Sequence, residues 1–186
     1  MQVDMKVLWQ QLQMGENHFC FDAPKDKWLY ELQQKFEEQG YSLLEGLRTE
    51  FVLERLDNDC ILSGNLLAVV QLNCARCIES FNFNVNHAFT LAITQSPSHR
   101  RSKKQSKLHP DEAVQLDVYF LEGPELDLVP IVREQFYLSL PYQAICGTNC
   151  LGLCQICGAN LNQGACGCSK THPVGPITQA FVKGLH

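Results

Sequence analysis

Cysteine dominates the chemistry open to this sequence. Eight of its ten cysteines fall into four close pairs. Cys74/Cys77 and Cys154/Cys157 have two residues between them, Cys146/Cys150 three, and Cys166/Cys168 one. Tetrahedral thiolate sites draw their ligands from tight turns, because a turn points two sulfurs at one ion. The run "CQICG" at 154–158 has the form of a zinc knuckle, with Gly158 placed so that the chain can curl its N–H groups toward the sulfurs. Cys166 and Cys168 follow after eight residues and can complete four ligands. The pair in "LNCARCIESF" lies between two strand patterns, where a hairpin tip presents both sulfurs. Its remaining partners are Cys146 and Cys150. The expectation is zinc, one ion or two. In the two-ion arrangement Cys74, Cys77, Cys146 and Cys150 hold one and Cys154, Cys157, Cys166 and Cys168 the other. In the one-ion alternative the remaining pairs are free. Cys20 and Cys60 stand alone in apolar contexts and read as free buried thiols.

Other uses of these residues fit less well. A redox pair of the thioredoxin type needs its C-x-x-C at a strand-to-helix junction, where the helix dipole lowers a thiol pKa. Cys74 and Cys77 have strand patterns on both sides, so a thiol-redox enzyme ranks third among the readings. The spacings match neither common ferredoxin run. Catalytic zinc keeps an open position and recruits His, Asp or Glu, and no H-E-x-x-H or H-x-E…C-x-x-C pattern is present. Nor is there a phosphate-cradling Gly loop or a nucleophile elbow. The expectation is a chain that is not an enzyme and takes no small-molecule substrate.

Charge supplies the second signal. Arg100, Arg101, Lys103, Lys104 and Lys107 place five of the fifteen basic residues in eight positions, with no acid between Ser98 and His109. The net charge is −5, so the rest of the chain carries −10 once these +5 are set apart. A flexible basic arm on an acidic body can contact phosphates, each contact adding salt-dependent affinity. The plainer reading is a solvated loop, because no aromatic residue is interleaved for base stacking.

The elements that must position these groups read as α+β. A strand lies within 1–22, followed by a turn at Asp22-Ala23-Pro24. A helix spans 25–39, with Trp28, Leu29, Leu32 and Phe36 on its buried face, Asp22 or a neighbour as cap, and Gly40 as its end. Strands fill 41–72, with a hairpin turn at Asp57-Asn58-Asp59. Over 80–93 apolar residues alternate with polar ones, which predicts a long half-buried strand, bent or bulged midway. His87 interrupts its apolar face and reads as a satisfied histidine rather than a ligand. Residues 95–110 read as a flexible loop. A further strand is expected at Val114, Leu116, Val118 and Phe120. A second helix spans 127–140, capped by Asp127, tolerating Pro130 in its first turn, burying Leu128, Ile131, Val132, Phe136 and Leu140, and stopped by Pro141. The last residues, ITQAFVKGLH, predict a short helix. No 18-residue apolar run exists to span a membrane, and the N-terminus lacks the apolar core of a signal peptide. The expected compartment is the cytoplasm, whose reduced thiols favour metal over disulfides.

Three blocks together, "LNCARCIESF", "LDLVPIVREQFYLSLP" and "CGTNCLGLCQICGANLNQGACGC", resemble the YceD family of bacterial and plastid proteins in order and spacing. The resemblance covers residues 66–168, and the basic segment at 98–109 is not part of the family's motif. It implies a role in ribosome production: members are linked to accumulation of large-subunit ribosomal RNA, and no enzymatic activity is established for them. The full expectation is therefore an α+β protein with a curved, mostly antiparallel sheet, two packed helices and a C-terminal zinc-stapled cysteine module. Residues 1–145 form the core domain, 146–170 the zinc module packed on it, and 171–186 a tail. The partner is large-subunit ribosomal RNA or a large-subunit ribosomal protein, and no membrane. Arg100, Arg101, Lys103, Lys104, Lys107, Asn160 and Asn162 are the candidate RNA contacts. The alternative is an adaptor whose acidic body holds a basic ribosomal protein, or a nuclease, without touching RNA.

Overall fold

The computed structural model of the 186-residue chain describes residues 5–57, 59–95, 117–121 and 123–168. Five strands form one sheet in the order β2-β3-β4-β5-β6. They are β2 (Gly15–Asp22), β3 (Ser42–Leu56), β4 (Asp59–Asn73), β5 (Ser80–Gln95) and β6 (Asp117–Leu121). Consecutive strands pair antiparallel up to β5, and β6 then adds in parallel. Helices α1 (Lys27–Glu38) and α2 (Leu128–Ser139) complete the core. A second, two-stranded sheet pairs β1 (Lys6–Leu8) with β7 (Glu125–Asp127), two elements of three residues each that the sequence pattern does not announce.

Alternation makes the sheet two-faced, and the helices cover one face. Leu47, Phe51 and Leu53 of β3, Leu62, Leu66 and Val70 of β4, and Val85 and Ile93 of β5 share one buried cluster with Trp28, Leu29, Leu32, Phe36, Ile131, Val132 and Phe136. The rings of Phe36 and Phe136 stack with centroids 4.0 Å apart and join the two helices. Across the helix ends, the Tyr137 hydroxyl donates to Gln39 Oε1. His87 on β5 lies 3.0 Å from Oε1 of the buried Gln135 on α2, so this histidine is a satisfied polar contact between sheet and helix.

Several local expectations are corrected. The β4–β5 register runs unbroken from Asp59↔Thr94 to Asn73↔Ser80, so β5 carries no bulge against it. The irregularity lies in β3, between Leu43 and Arg48. There a Cβ on Gly46 would stand 2.4 Å from the carbonyl oxygen of Ala23, so only glycine admits this backbone approach. Helix α1 starts at Lys27; Asp26 occupies the cap position, but its carboxylate accepts from the N–H of Asp22 at 2.7 Å instead of capping the helix. Asp22 is bound to Lys25 and Arg48, and the Lys25 ammonium first, then Arg48, hold its carboxyl below the ordinary range. On β6, Val118 and Phe120 face solvent, while Leu121 is buried and Tyr119 packs against the core. The expected strand is present at Asp117–Leu121, and Val114 and Leu116 lie outside the described residues. Cys20 is exposed because Phe19 and Phe21 take the inward positions of β2. Cys60 is buried, and burial pushes its thiol up to about 12, so it stays protonated at neutral pH. The expected C-terminal helix also falls outside the described residues. Among the described residues, no helix is long and apolar enough to cross a membrane.

Candidate metal centres

The β4–β5 hairpin closes through residues 74–79, because Asn73 and Ser80 are still paired. In this tip the N–H of Cys74 donates to the oxygen of Glu79 at 2.9 Å, and the N–H of Ile78 donates to the oxygen of Cys74 at 2.9 Å. The same two bonds recur at the same offsets eighty residues on. Cys154 donates to Ala159 at 2.8 Å and Gly158 donates to Cys154 at 2.9 Å. Both turns put the residue after the second cysteine in the left-handed region, Ile78 at φ 65° and Gly158 at φ 73°. The two C-x-x-C segments are thus one backbone device used twice. Glycine suits that position and a β-branched residue does not. The Ile78 side chain is 67% exposed, so little packing is at stake. Ile78→Gly is expected to stabilise the protein by about 0.5–1 kcal/mol, the left-handed penalty less the added entropy of glycine in the unfolded chain. A lowered thermal midpoint for reduced Ile78→Gly would contradict this.

Partners for the first pair arrive from the end of α2. Past Pro141 the chain returns to the hairpin tip, where the N–H of Ala75 donates to the oxygen of Ala144 at 2.7 Å. That brings Cys77 Sγ to 3.7 Å from Cys146 Sγ and Cys74 Sγ to 3.8 Å from Cys150 Sγ. Cys74, Cys77 and Cys150 are buried together against Phe81 and Ile145. All four sulfurs lie within 4.8 Å of one another, and so do those of Cys154, Cys157, Cys166 and Cys168. None of these cysteines is in a disulfide. The spacing can be tested against a metal. Zinc–sulfur bonds of about 2.3 Å in a tetrahedron place the sulfurs about 3.8 Å apart, whereas a disulfide needs about 2.05 Å. The separations of 3.7 and 3.8 Å match the tetrahedral edge. The two groups are the ones the spacings suggested for a two-ion arrangement.

Electrostatics at both groups follows from crowding four thiols among N–H donors. The N–H of Cys146 and the tip's own amides hold the Cys74 thiol down to about 6. The N–H groups of Cys157 and Ile156 do the same for Cys154, also to about 6. The Asn162 amide lowers Cys150. Cys146 and Cys168 are pushed up to about 12, by Cys74 and by Cys157 respectively. Four thiolates cannot coexist so closely without a cation; a divalent ion would remove the conflict. The low pKa of Cys74 is not a redox signature, since the first cysteine of each turn shares it and each faces three more thiols. Among the described residues both donor sets are all sulfur, with no His or carboxylate in either group.

The remaining candidate residues divide. Asn160 and Asn162 belong to the loop between the second turn and Cys166, and both amides are engaged inside the protein. Asn160 Nδ2 donates to Glu79 Oε1 at 3.2 Å, and its Oδ1 accepts from the N–H and side chain of Asn162. Asn162 Oδ1 accepts from the N–H of Leu151 at 2.8 Å, and Nδ2 reaches Cys150 Sγ at 3.5 Å. Arg100, Arg101, Lys103, Lys104 and Lys107 lie outside the described residues. Sequence reasoning missed Arg76 and Glu79. The guanidinium of Arg76 donates to the oxygen of Cys150 at 3.3 Å, and its own carbonyl accepts from Leu153 at 3.1 Å. Glu79 also accepts from Gln163 at 3.3 Å. Their signal was adjacency: both are charged neighbours of a ligand pair in "CARCIE".

Comparison with known proteins gives the setting. The family profile described as "Large ribosomal RNA subunit accumulation protein YceD" matches residues 62–178. A protein of Arabidopsis thaliana named "Large ribosomal RNA subunit accumulation protein YCED homolog 1, chloroplastic" is 27% identical over 126 residues, covering 59% of this chain and 39% of that one. The Zea mays protein of the same name is 27% identical over 141 residues, with 64% and 48% covered. The chain spans less than half the length of these relatives. No solved structure matches it. The matched span takes in β5, α2 and all eight clustered cysteines, and on that ground the chain belongs to the YceD family.

Proposed function

We propose that this chain is a non-catalytic factor in the accumulation of large-subunit ribosomal RNA. In this reading each four-cysteine group holds one zinc ion, and the segment carrying Arg100, Arg101, Lys103, Lys104 and Lys107 contacts the RNA. Family membership supplies the biological setting, and its relatives carry that role in their names. The observation that supports the non-catalytic part is that each group brings four cysteine sulfurs within 4.8 Å of one another: four thiolates would fill a tetrahedral ion and leave no position for water or substrate. Zinc would order residues 146–168, which have few apolar side chains to fold them otherwise. A reducing compartment such as the cytoplasm keeps ten thiols available.

Ultraviolet crosslinking in cells, with sequencing of the attached RNA, tests the reading. Peaks at defined positions of large-subunit ribosomal RNA are expected, and deleting 98–109 is expected to remove them without reducing the protein's abundance. A second reading has its own observation. Residues 140–168 contain no charged side chain. Two filled thiolate sites would therefore leave that end negative, by about −2 each. Such a surface suits a cationic protein better than a phosphate backbone. An empty crosslinking result beside a working positive control would favour this adaptor reading.

A further inference from the structure

We infer that Asn162 couples the two metal sites, so that filling the Cys154/Cys157/Cys166/Cys168 site strengthens binding at the Cys74/Cys77/Cys146/Cys150 site. The inference rests on the metal reading above and deepens it. Three residues separate Cys150, the last ligand of the first group, from Cys154, the first ligand of the second. Asn162 belongs to the second group's loop, between Cys157 and Cys166, yet its side chain turns back onto the first group. Its Oδ1 accepts from the N–H of Leu151 at 2.8 Å, which fixes that atom as the oxygen. Its Nδ2 then faces Cys150 Sγ at 3.5 Å and Asn160 Oδ1 at 2.9 Å. The N–H of Leu161 donates to the oxygen of Gly152 at 2.9 Å and holds the loop against the connecting segment.

The physical consequence is directional. An N–H···S bond withdraws charge from a ligating thiolate and fixes its orientation, which is how groups around a metal set its retention. A metal at the second site would pin Cys157 and Cys166, the two ends of the loop that carries Asn162. With that site empty, the loop must be ordered at an entropic cost before Asn162 can reach Cys150. Linkage makes the effect mutual: a filled first site favours the second by the same factor. The geometry thus makes Asn162 a positioning residue for the first site, held in place by the second.

The test uses the full chain loaded with zinc or with cadmium-113. Native mass spectrometry counts ions, cadmium-113 resonances separate the two sites, and a chromophoric chelator reports release rates. Asn162→Asp keeps an oxygen for the N–H of Leu151 but cannot donate to Cys150; Asn162→Ala removes both contacts. Both variants should still bind two ions. Release from the first site should accelerate about 10-fold or more, with a moved cadmium resonance for that site in Asn162→Asp. A merely structural role would be met by the Asp oxygen and would leave that resonance in place. Cys166→Ser with Cys168→Ser should speed release from the first site by a similar factor. Release within twofold of wild type in all three variants would overturn the coupling. Fewer than two ions in the wild-type chain would instead overturn the metal reading on which it rests.

Discussion

With each four-cysteine group holding one ion as proposed, replacing Cys74 and Cys77 together by serine is expected to leave one ion bound per chain and to release residues 140–168 from the hairpin tip, while the sheet and its helices stay folded. The two parts of this result have separate causes. The main core cluster is built mainly from β3, β4, β5, α1 and α2, with Val7, Leu121 and Leu126 from β1, β6 and β7, and contains none of the eight clustered cysteines. The cysteine end has its own small cluster of Cys74, Cys77 and Cys150 with Phe81 and Ile145, too little apolar area to hold a chain end unaided. What remains after the substitution is a handful of polar bonds, such as those from Asn160 and Gln163 to Glu79. Exposed bonds of that kind contribute little each. Elemental analysis should show the metal content falling from two per chain to one, and limited proteolysis should cut between 140 and 168. Cys20→Ser, on the exposed side of β2, serves as the control that changes neither. A double variant that keeps two ions, or that loses its far-ultraviolet spectrum altogether, would show that this division of the molecule is wrong.

The sequence carried different parts of this structure with different clarity. The cysteine pairs were legible because tight thiolate turns are local, and so was the apolar stripe of Trp28, Leu29, Leu32 and Phe36. Which pairs meet was less so: Cys74 and Cys150 are 76 residues apart, and only the return of the chain after α2 joins them. The β6 face is not legible in sequence because "DVYFL" is apolar on both sides, so alternation cannot choose between Val118/Phe120 and Tyr119/Leu121. Strands of three residues, as in β1 and β7, are too short to show any period. The bulge was misplaced for a related reason. His87 breaks an apolar pattern without breaking the ladder, because Gln135 across the interface satisfies it. Gly46 marks the real irregularity, but its cause, the oxygen of Ala23, comes from another strand's end. The partners of Asn160 and Asn162, Glu79 and the Leu151 N–H among them, were not legible because an exposed polar loop offers no sequence sign of where its amides point.

Phe136→Ala is expected to cost about 3–5 kcal/mol, the usual result of emptying a buried aromatic site. Its ring is fully buried, stacks on Phe36 at 4.0 Å, and meets Tyr41 edge-on at 5.7 Å. Truncation therefore removes contacts from both helices and from the start of β3 at once, and the neighbouring rings are too large to collapse into the space without moving α2. That helix also carries the chain toward Ala144, Cys146 and Cys150, so a shift in it displaces ligands of the first cysteine group. Chemical denaturation of the reduced, zinc-loaded protein measures the loss directly. A single domain has only about 5–15 kcal/mol in total, so the variant should be near the edge of folding at 37 °C and its cellular level should fall. A second readout follows from the geometry: chelator-driven metal release should quicken at the Cys74 group and change less at Cys154/Cys157/Cys166/Cys168, whose ligands all come from one short segment. A loss below about 1 kcal/mol, no more than an average point substitution costs, would mean that the Phe36–Phe136 stack does not hold α2 in place, and that the first cysteine group is positioned by the hairpin tip alone.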